Sequence, residues 1–125
     1  KNIKVFIVTN QSGISKGYYS EDDVKTLHNF INFELKKIGA KVDEFFYSPY
    51  HPKGKITEYN NLSHLRKPNT GMLELACNKW PIDRNKSILI GDKIIDMQCA
   101  KNFGITGYLF DYKDIDLLSF IKNIV

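Results

Sequence analysis

Hydrophobic and polar positions along this chain follow two periods. β-Branched and aromatic residues crowd into short runs over 4–9, 42–47, 87–90 and 108–110, each cut off by polar or glycine residues, the pattern of short buried strands. Between the runs, apolar residues recur every three or four positions. Val24, Leu27, Ile31, Leu35 and Ile38 make one helical face, and Met72, Leu73, Ala76 and Trp80 a second, and both are expected to be core. Ser20 followed by Asp23 has the spacing of a capping box, so a helix opens there and Gly39 closes it. Asn69 or Thr70 caps the second helix, which must end before Pro81. The pattern adds a short helix over 96–102 stopped by Gly104, and an amphipathic one over 116–125. Strands alternating with helices imply an α/β fold, a parallel sheet with helices on both faces.

The strand ends carry the chemistry, because an open α/β sheet holds its ligands beyond the carboxyl ends of its strands. The first run stops at Thr9-Asn10-Gln11-Ser12-Gly13, and the 87–90 run stops at Gly91-Asp92-Lys93, with Asp96 opening the next helix. Arg66-Lys67-Pro68 stands just ahead of the second helix. Singly, each has an ordinary explanation: Thr9 ends a strand, Lys67 is a solvated flanking cation, and Asp96 is a first-turn acid favoured by the helix dipole. Together they aim hydroxyl, ammonium and carboxylate at one crevice, where a carboxylate such as Asp92 suits a hard cation. Pro49 and Pro52 forbid regular pairing after the second strand. Residues 48–65 therefore form a long irregular loop expected to overhang the crevice and select what enters.

Composition narrows the class further. At 125 residues, 1–125 fits one domain. The net charge of +4 is dispersed, which suits an anionic small molecule and falls short of the clustered footprint of a nucleic-acid binder. No apolar run reaches the length of a membrane span, and nothing resembles an export leader, so a soluble cytoplasmic protein without membrane attachment is expected. Cys77 and Cys99 lie on separate helices without ligand spacing, and read as small buried hydrophobes rather than as a disulfide or zinc ligands. His28, His51 and His64 read as surface or loop residues. The sequence has no initiating Met and enters a strand at once, which predicts that a segment is missing upstream.

The ordered set Thr9-Asn10-Gln11-Ser12-Gly13-Ile14 with Lys16-Gly17-Tyr18, Arg66-Lys67-Pro68 with Gly71-Met72, and Gly91-Asp92-Lys93 with Asp96 resembles the haloacid dehalogenase (HAD) superfamily of phosphatases, in its histidinol-phosphate and heptose-bisphosphate phosphatase branch. The resemblance covers nearly the whole chain. It implies a three-layer Rossmann-like fold without a large cap domain, and magnesium-dependent hydrolysis through a phosphoaspartyl intermediate. It assigns Lys67 to the phosphoryl oxygens, Asp92 to magnesium with Asp96 in support, and the Thr9 hydroxyl to the transferring group. Asn10, Gln11 and Ser12 would orient the substrate, and Arg66 and Lys93 would reach its other anionic parts. A small phosphorylated sugar is implied, with heptose 1,7-bisphosphate, cleaved at its 7-phosphate, ahead of histidinol phosphate. The other readings are a nucleic-acid 3′-phosphatase domain and a non-catalytic scaffold or subunit.

This chain departs from the family in two ways. The nucleophile motif, Asp-x-Asp followed by Gly-Thr on a central first strand, is absent from the sequence. The chain as written is therefore expected to be inactive alone, its sheet completed by a missing N-terminal segment or by a second chain. Relatives also carry a zinc bound by Cys-x-His and Cys-x-Cys, whereas the matching positions here are Ser48, Tyr50, Ser63 and Leu65, so no zinc is expected. Packing of Tyr50, Tyr59 and Leu62 is expected to hold the loop instead.

Overall fold

Parallel pairing of the first two apolar runs organises the N-terminal half. In the computed structural model, which describes residues 3–124, β1 (Phe6–Asn10) lies beside β2 (Glu44–Ser48), in register from Phe6 opposite Glu44 to Asn10 opposite Ser48. The crossover between them is α1 (Glu21–Lys36). Its start is the expected capping box: Ser20 Oγ accepts the Asp23 N–H at 3.1 Å, and the Asp23 carboxylate accepts the Ser20 N–H at 2.9 Å.

The buried stripe of α1 is narrower than its apolar pattern. Val24 and His28 are buried, but Leu27 is 50% and Ile38 78% exposed, because a two-stranded ribbon covers less of a helix than a wide sheet would. His28 is a core residue rather than a surface one. Its ring stacks on Phe45 at 4.2 Å, and burial lowers its pKa.

On the other face of the ribbon lies α2 (Gly71–Lys79), which stops before Pro81 as expected. Met72 and Ala76 from α2 and Phe46 from β2 form the buried centre, joined by Phe6, Val8, Leu65, Trp80 and Ile82. Trp80 meets Phe6 edge-on at 5.4 Å and donates its indole N–H to Glu44 at 2.8 Å, so its polar atom is satisfied at the rim of the core.

The C-terminal half repeats the plan on a smaller scale. β3 (Ile88–Gly91) pairs in parallel with β4 (Thr106–Leu109), and α3 (Ile94–Phe103) connects them, starting two residues earlier than the sequence pattern suggests and ending at Gly104. Cys99 and Ala100 of α3 are buried against the strands, whereas Cys77 on α2 is half-buried; both thiols are free. α4 (Leu117–Ile124) starts where Asp116 accepts the Ser119 N–H, and touches the rest through Phe120 against Phe110. Val125, the last residue of the expected helix, lies outside the described residues, as do residues 1 and 2 of the expected domain.

The strands form two separate two-stranded sheets, β1–β2 and β3–β4, rather than one continuous sheet. A groove separates the edges of β1 and β3, and residues of both strands line it. That groove explains β3. Its sequence reads as a fully buried strand, yet only Leu89 is buried and Ile88 is 41% exposed. Among the described residues, no helix is long and apolar enough to cross a membrane.

Candidate active site

The turn after β1 fixes the site by pinning a distant segment. Asn10 Nδ2 donates to the Lys67 carbonyl at 3.1 Å, and Asn10 Oδ1 accepts the Lys67 N–H at 3.0 Å. This two-point amide clamp sets the backbone of Arg66-Lys67-Pro68 beside the end of β1. The Asn10 side chain thus holds Lys67 in place.

From that clamp the Lys67 side chain crosses to the other ribbon. Its Nζ donates to the Val8 carbonyl on β1 at 3.1 Å and to Asp96 Oδ1 on α3 at 2.6 Å. Asp96 Oδ2 accepts the Lys93 N–H at 3.1 Å, so both carboxylate oxygens are engaged. The two side chains are only 12% and 7% exposed, and such a desolvated pair persists because its members satisfy one another. Gly91 makes room for it: a Cβ there would fall 2.4 Å from that of Asp96. Asp96 is therefore the partner of Lys67, with both of its carboxylate oxygens engaged.

Thr9, Lys67, Asp92 and Asp96 all line the groove between β1 and β3, whose volume is about 760 Å³. Asp92 is exposed at its end. The remaining candidates sit elsewhere. Arg66 donates its guanidinium to the Tyr50 carbonyl at 3.3 Å and is not among the groove-lining residues; burial lowers its pKa. Lys93 is exposed and contributes its backbone N–H. Ser12 contributes its carbonyl, which accepts from Ser15 Oγ at 2.9 Å. Gln11 donates its amide to Thr9 Oγ1 at 3.1 Å.

The loop over 49–65 is held by a carboxylate that the sequence pattern did not single out. Glu21 at the start of α1 accepts hydrogen bonds from Tyr47, at 2.6 Å, and from Tyr59. These bonds lower the pKa of Glu21 and, with some burial, push the Tyr59 phenol up to about 12; burial first and then Glu21 raise that of Tyr47. Tyr50 packs edge-on against Tyr59 at 6.0 Å, and the Ile56 N–H reaches the Ser15 carbonyl at 2.8 Å. Leu62 takes no part: it is 76% exposed, because the tyrosine clasp and backbone bonds already close the loop. Ser48 and Ser63 accept N–H bonds from Tyr50 and Leu65 within the loop. His51 Nδ1 accepts the Lys53 N–H, and exposed His64 pairs with Glu74.

The HAD-hydrolase-like family matches residues 64–112 of the chain. A D-glycero-beta-D-manno-heptose-1,7-bisphosphate 7-phosphatase from Rhodopseudomonas palustris is 40% identical over 121 residues, which cover 97% of this chain and 66% of that protein. Two solved structures share the fold. One, from Mesorhizobium loti and described as a HAD-like phosphatase, superposes with a TM-score of 0.79 at 35% identity, over 86% of this chain and 52% of its own. The other, D,D-heptose 1,7-bisphosphate phosphatase from B. bronchiseptica complexed with magnesium and phosphate, gives a TM-score of 0.74 at 26% identity, over 85% and 55%. The chain spans about half to two thirds of the length of the curated relatives it matches.

Proposed function

Since the chain belongs to the HAD-like phosphatases, we propose that it forms the cation-bearing part of a magnesium-dependent phosphatase of a small phosphorylated sugar, most specifically of heptose 1,7-bisphosphate at its 7-phosphate. One observation carries this reading: Thr9, Lys67 and Asp92, drawn from three separate segments, all line one groove. Phosphoryl transfer from a dianion needs positive charge and hydrogen-bond donors fixed in advance, because an anionic nucleophile must approach an anion. Lys67 supplies the charge from a position its clamp and ion pair hold still, and the Thr9 hydroxyl supplies a donor. Among the described residues, no three His, Cys, Asp or Glu side chains gather into a ready metal site. A magnesium ion fits such a donor set when it keeps waters and takes oxygens from the phosphate, so Asp92, exposed at the groove, is the residue to hold it. Bound there, the ion would supply further positive charge against the phosphoryl oxygens.

The acceptor aspartate is to come on a strand seated in the groove. The facing edges of β1 and β3, both of which line the groove, support that occupancy. Residues 48–65 would select the substrate, with Arg66 behind them.

The test is phosphate release with magnesium, with and without an apolar strand segment ending in Asp-x-Asp joined ahead of the chain. The expected result is no turnover by the chain alone, and release from heptose 1,7-bisphosphate in preference to histidinol phosphate once the segment is joined. Turnover by the unextended chain would refute the phosphoaspartyl mechanism. A folded, extended protein that leaves both substrates intact would refute the phosphatase reading.

A further inference from the structure

We propose that Tyr19 is a positioning residue that acts through Gln11 to point the Thr9 hydroxyl at the bound phosphoryl group; this rests on the phosphatase reading of the groove. The observation is a directed chain of hydrogen bonds. Tyr19 Oη lies 2.6 Å from Gln11 Oε1, and Gln11 Nε2 lies 3.1 Å from Thr9 Oγ1. The atoms set the direction, since an amide oxygen only accepts and an amide nitrogen only donates. Tyr19 therefore donates to the amide oxygen, which turns the amide N–H toward Thr9.

The consequence falls on the Thr9 proton. Oγ1 already receives a hydrogen bond from Gln11, so its own hydrogen must point elsewhere. Its intramolecular alternative, the Asn10 carbonyl, lies 3.5 Å away, at the outer limit of a hydrogen bond. The hydroxyl is left to donate into the groove that Thr9 lines, where an anionic oxygen would take it. Were the amide reversed, Thr9 would donate to Gln11 and offer the anion only lone pairs, a repulsive arrangement.

A second observation shows that the loop is shaped for this contact. The Tyr18 N–H returns to the Gly13 carbonyl at 2.9 Å, and the turn through Gly17, at φ 78°, brings the chain back on itself. The Tyr19 ring then lies flush on Gly13, where an added Cβ would fall 2.2 Å from ring atom Cε2. Gly13 is therefore the floor on which the relay rests. A side chain there would tip the ring away while leaving β1 intact.

The experiment uses the full chain with magnesium and inorganic phosphate as the probe. Tyr19→Phe keeps the ring and removes the hydroxyl, and is expected to weaken phosphate binding roughly fivefold, the loss of one hydrogen bond's orientation. The urea midpoint should stay unchanged. Gly13→Ala should give the same loss by displacing the ring, whereas Tyr18→Phe, at a neighbouring residue 72% exposed, should bind like the parent. On a Gln11→Ala background, Tyr19→Phe should cost nothing further, because the relay is already cut. The Gln11 side-chain amide resonances report the relay without any ligand, and should move toward free-amide positions in Tyr19→Phe. A parent that binds phosphate while Tyr19→Phe binds equally tightly, or leaves those resonances in place, overturns the relay and spares the phosphatase reading. A parent that binds no phosphate overturns the anion site itself, and the proposed role of Tyr19 with it.

Discussion

The two halves of the molecule use the same β–α–β plan to different depths. Around β1 and β2, aromatic and aliphatic side chains from both strands and α2 build a core, and α1 adds Val24 and His28 on the opposite face. Around β3 and β4, burial rests on Leu89, Cys99 and Ala100, and no residue of α4 is buried. Three hydrogen bonds across the seam come from one short segment. Lys67 reaches Asp96, the Asn69 carbonyl accepts from Cys99 Sγ at 3.3 Å, and the Pro68 carbonyl accepts from Asn102 at 3.2 Å. The first half thus carries the packing, and the second is moored to it at the point where the proposed chemistry occurs. Site and seam coincide, so a change at Lys67 should register both in stability and in phosphate binding.

That coincidence gives the largest expected effect. Lys67→Met leaves the Asp96 carboxylate buried without its cation and releases the tether to Val8, at a cost of about 3–5 kcal/mol. Asp96→Asn should cost less, since Lys67 keeps the Val8 carbonyl and an amide oxygen. Urea unfolding of the two variants checks the order. Equal and small losses would mean that the halves are held together by something other than this ion pair.

Next come the two cores. Met72→Ala removes a side chain that is 1% exposed and is expected to cost about 2–5 kcal/mol. Leu89→Ala should fall at or below the low end of that range, because Leu89 borders the groove and its loss enlarges an existing space rather than opening a new one. Native-state hydrogen exchange separates the halves. The Met72 variant should loosen β1 and β2 together, and the Leu89 variant should loosen β3 and β4 while leaving the first ribbon protected.

Much of the fold was legible because the relevant signals are local. The Ser20 and Asp23 cap, the stop before Pro81 and the polar ends of the strands each depend on a few neighbouring residues, and each lies where its spacing requires. Strand-end logic and the resemblance together pointed to Thr9, Lys67 and Asp92, and all three line the groove, where their roles are proposed. What escaped was set by partners far along the chain. Asn10 turns to Lys67 and His28 to Phe45, 57 residues away in the first case, and Asp96 is taken by Lys67 rather than left free. The apolar face of α1 was overread for the same reason: periodicity reports which residues could be covered, and the width of the ribbon decides which of them are. Glu21 was not singled out at all, since nothing near it in sequence announces Tyr47 and Tyr59.

The smallest effect expected distinguishes a clasp that holds the loop from one that merely touches it. The Tyr59 phenol is raised in the folded protein from 10.0 to about 12. A folded value above the unfolded one means that its contribution is complete below about pH 10 and is lost as pH climbs through the folded value. Glu21 is shifted the other way, below 4.5, so its contribution is present above the ordinary carboxylate range and is lost as pH falls through its lowered folded value. Tyr59→Phe removes the shared bond and should destabilise the protein by less than about 1 kcal/mol near neutrality. The difference in urea midpoint between parent and variant should then be widest between about pH 6 and 9 and should shrink toward both extremes, because protonating Glu21 or ionising Tyr59 weakens the same charge-assisted bond in the parent. A difference that stays level across that range would mean that the loop is held by its backbone bonds to Ser15 and by the packing of Tyr50, with the tyrosine hydroxyl contributing nothing.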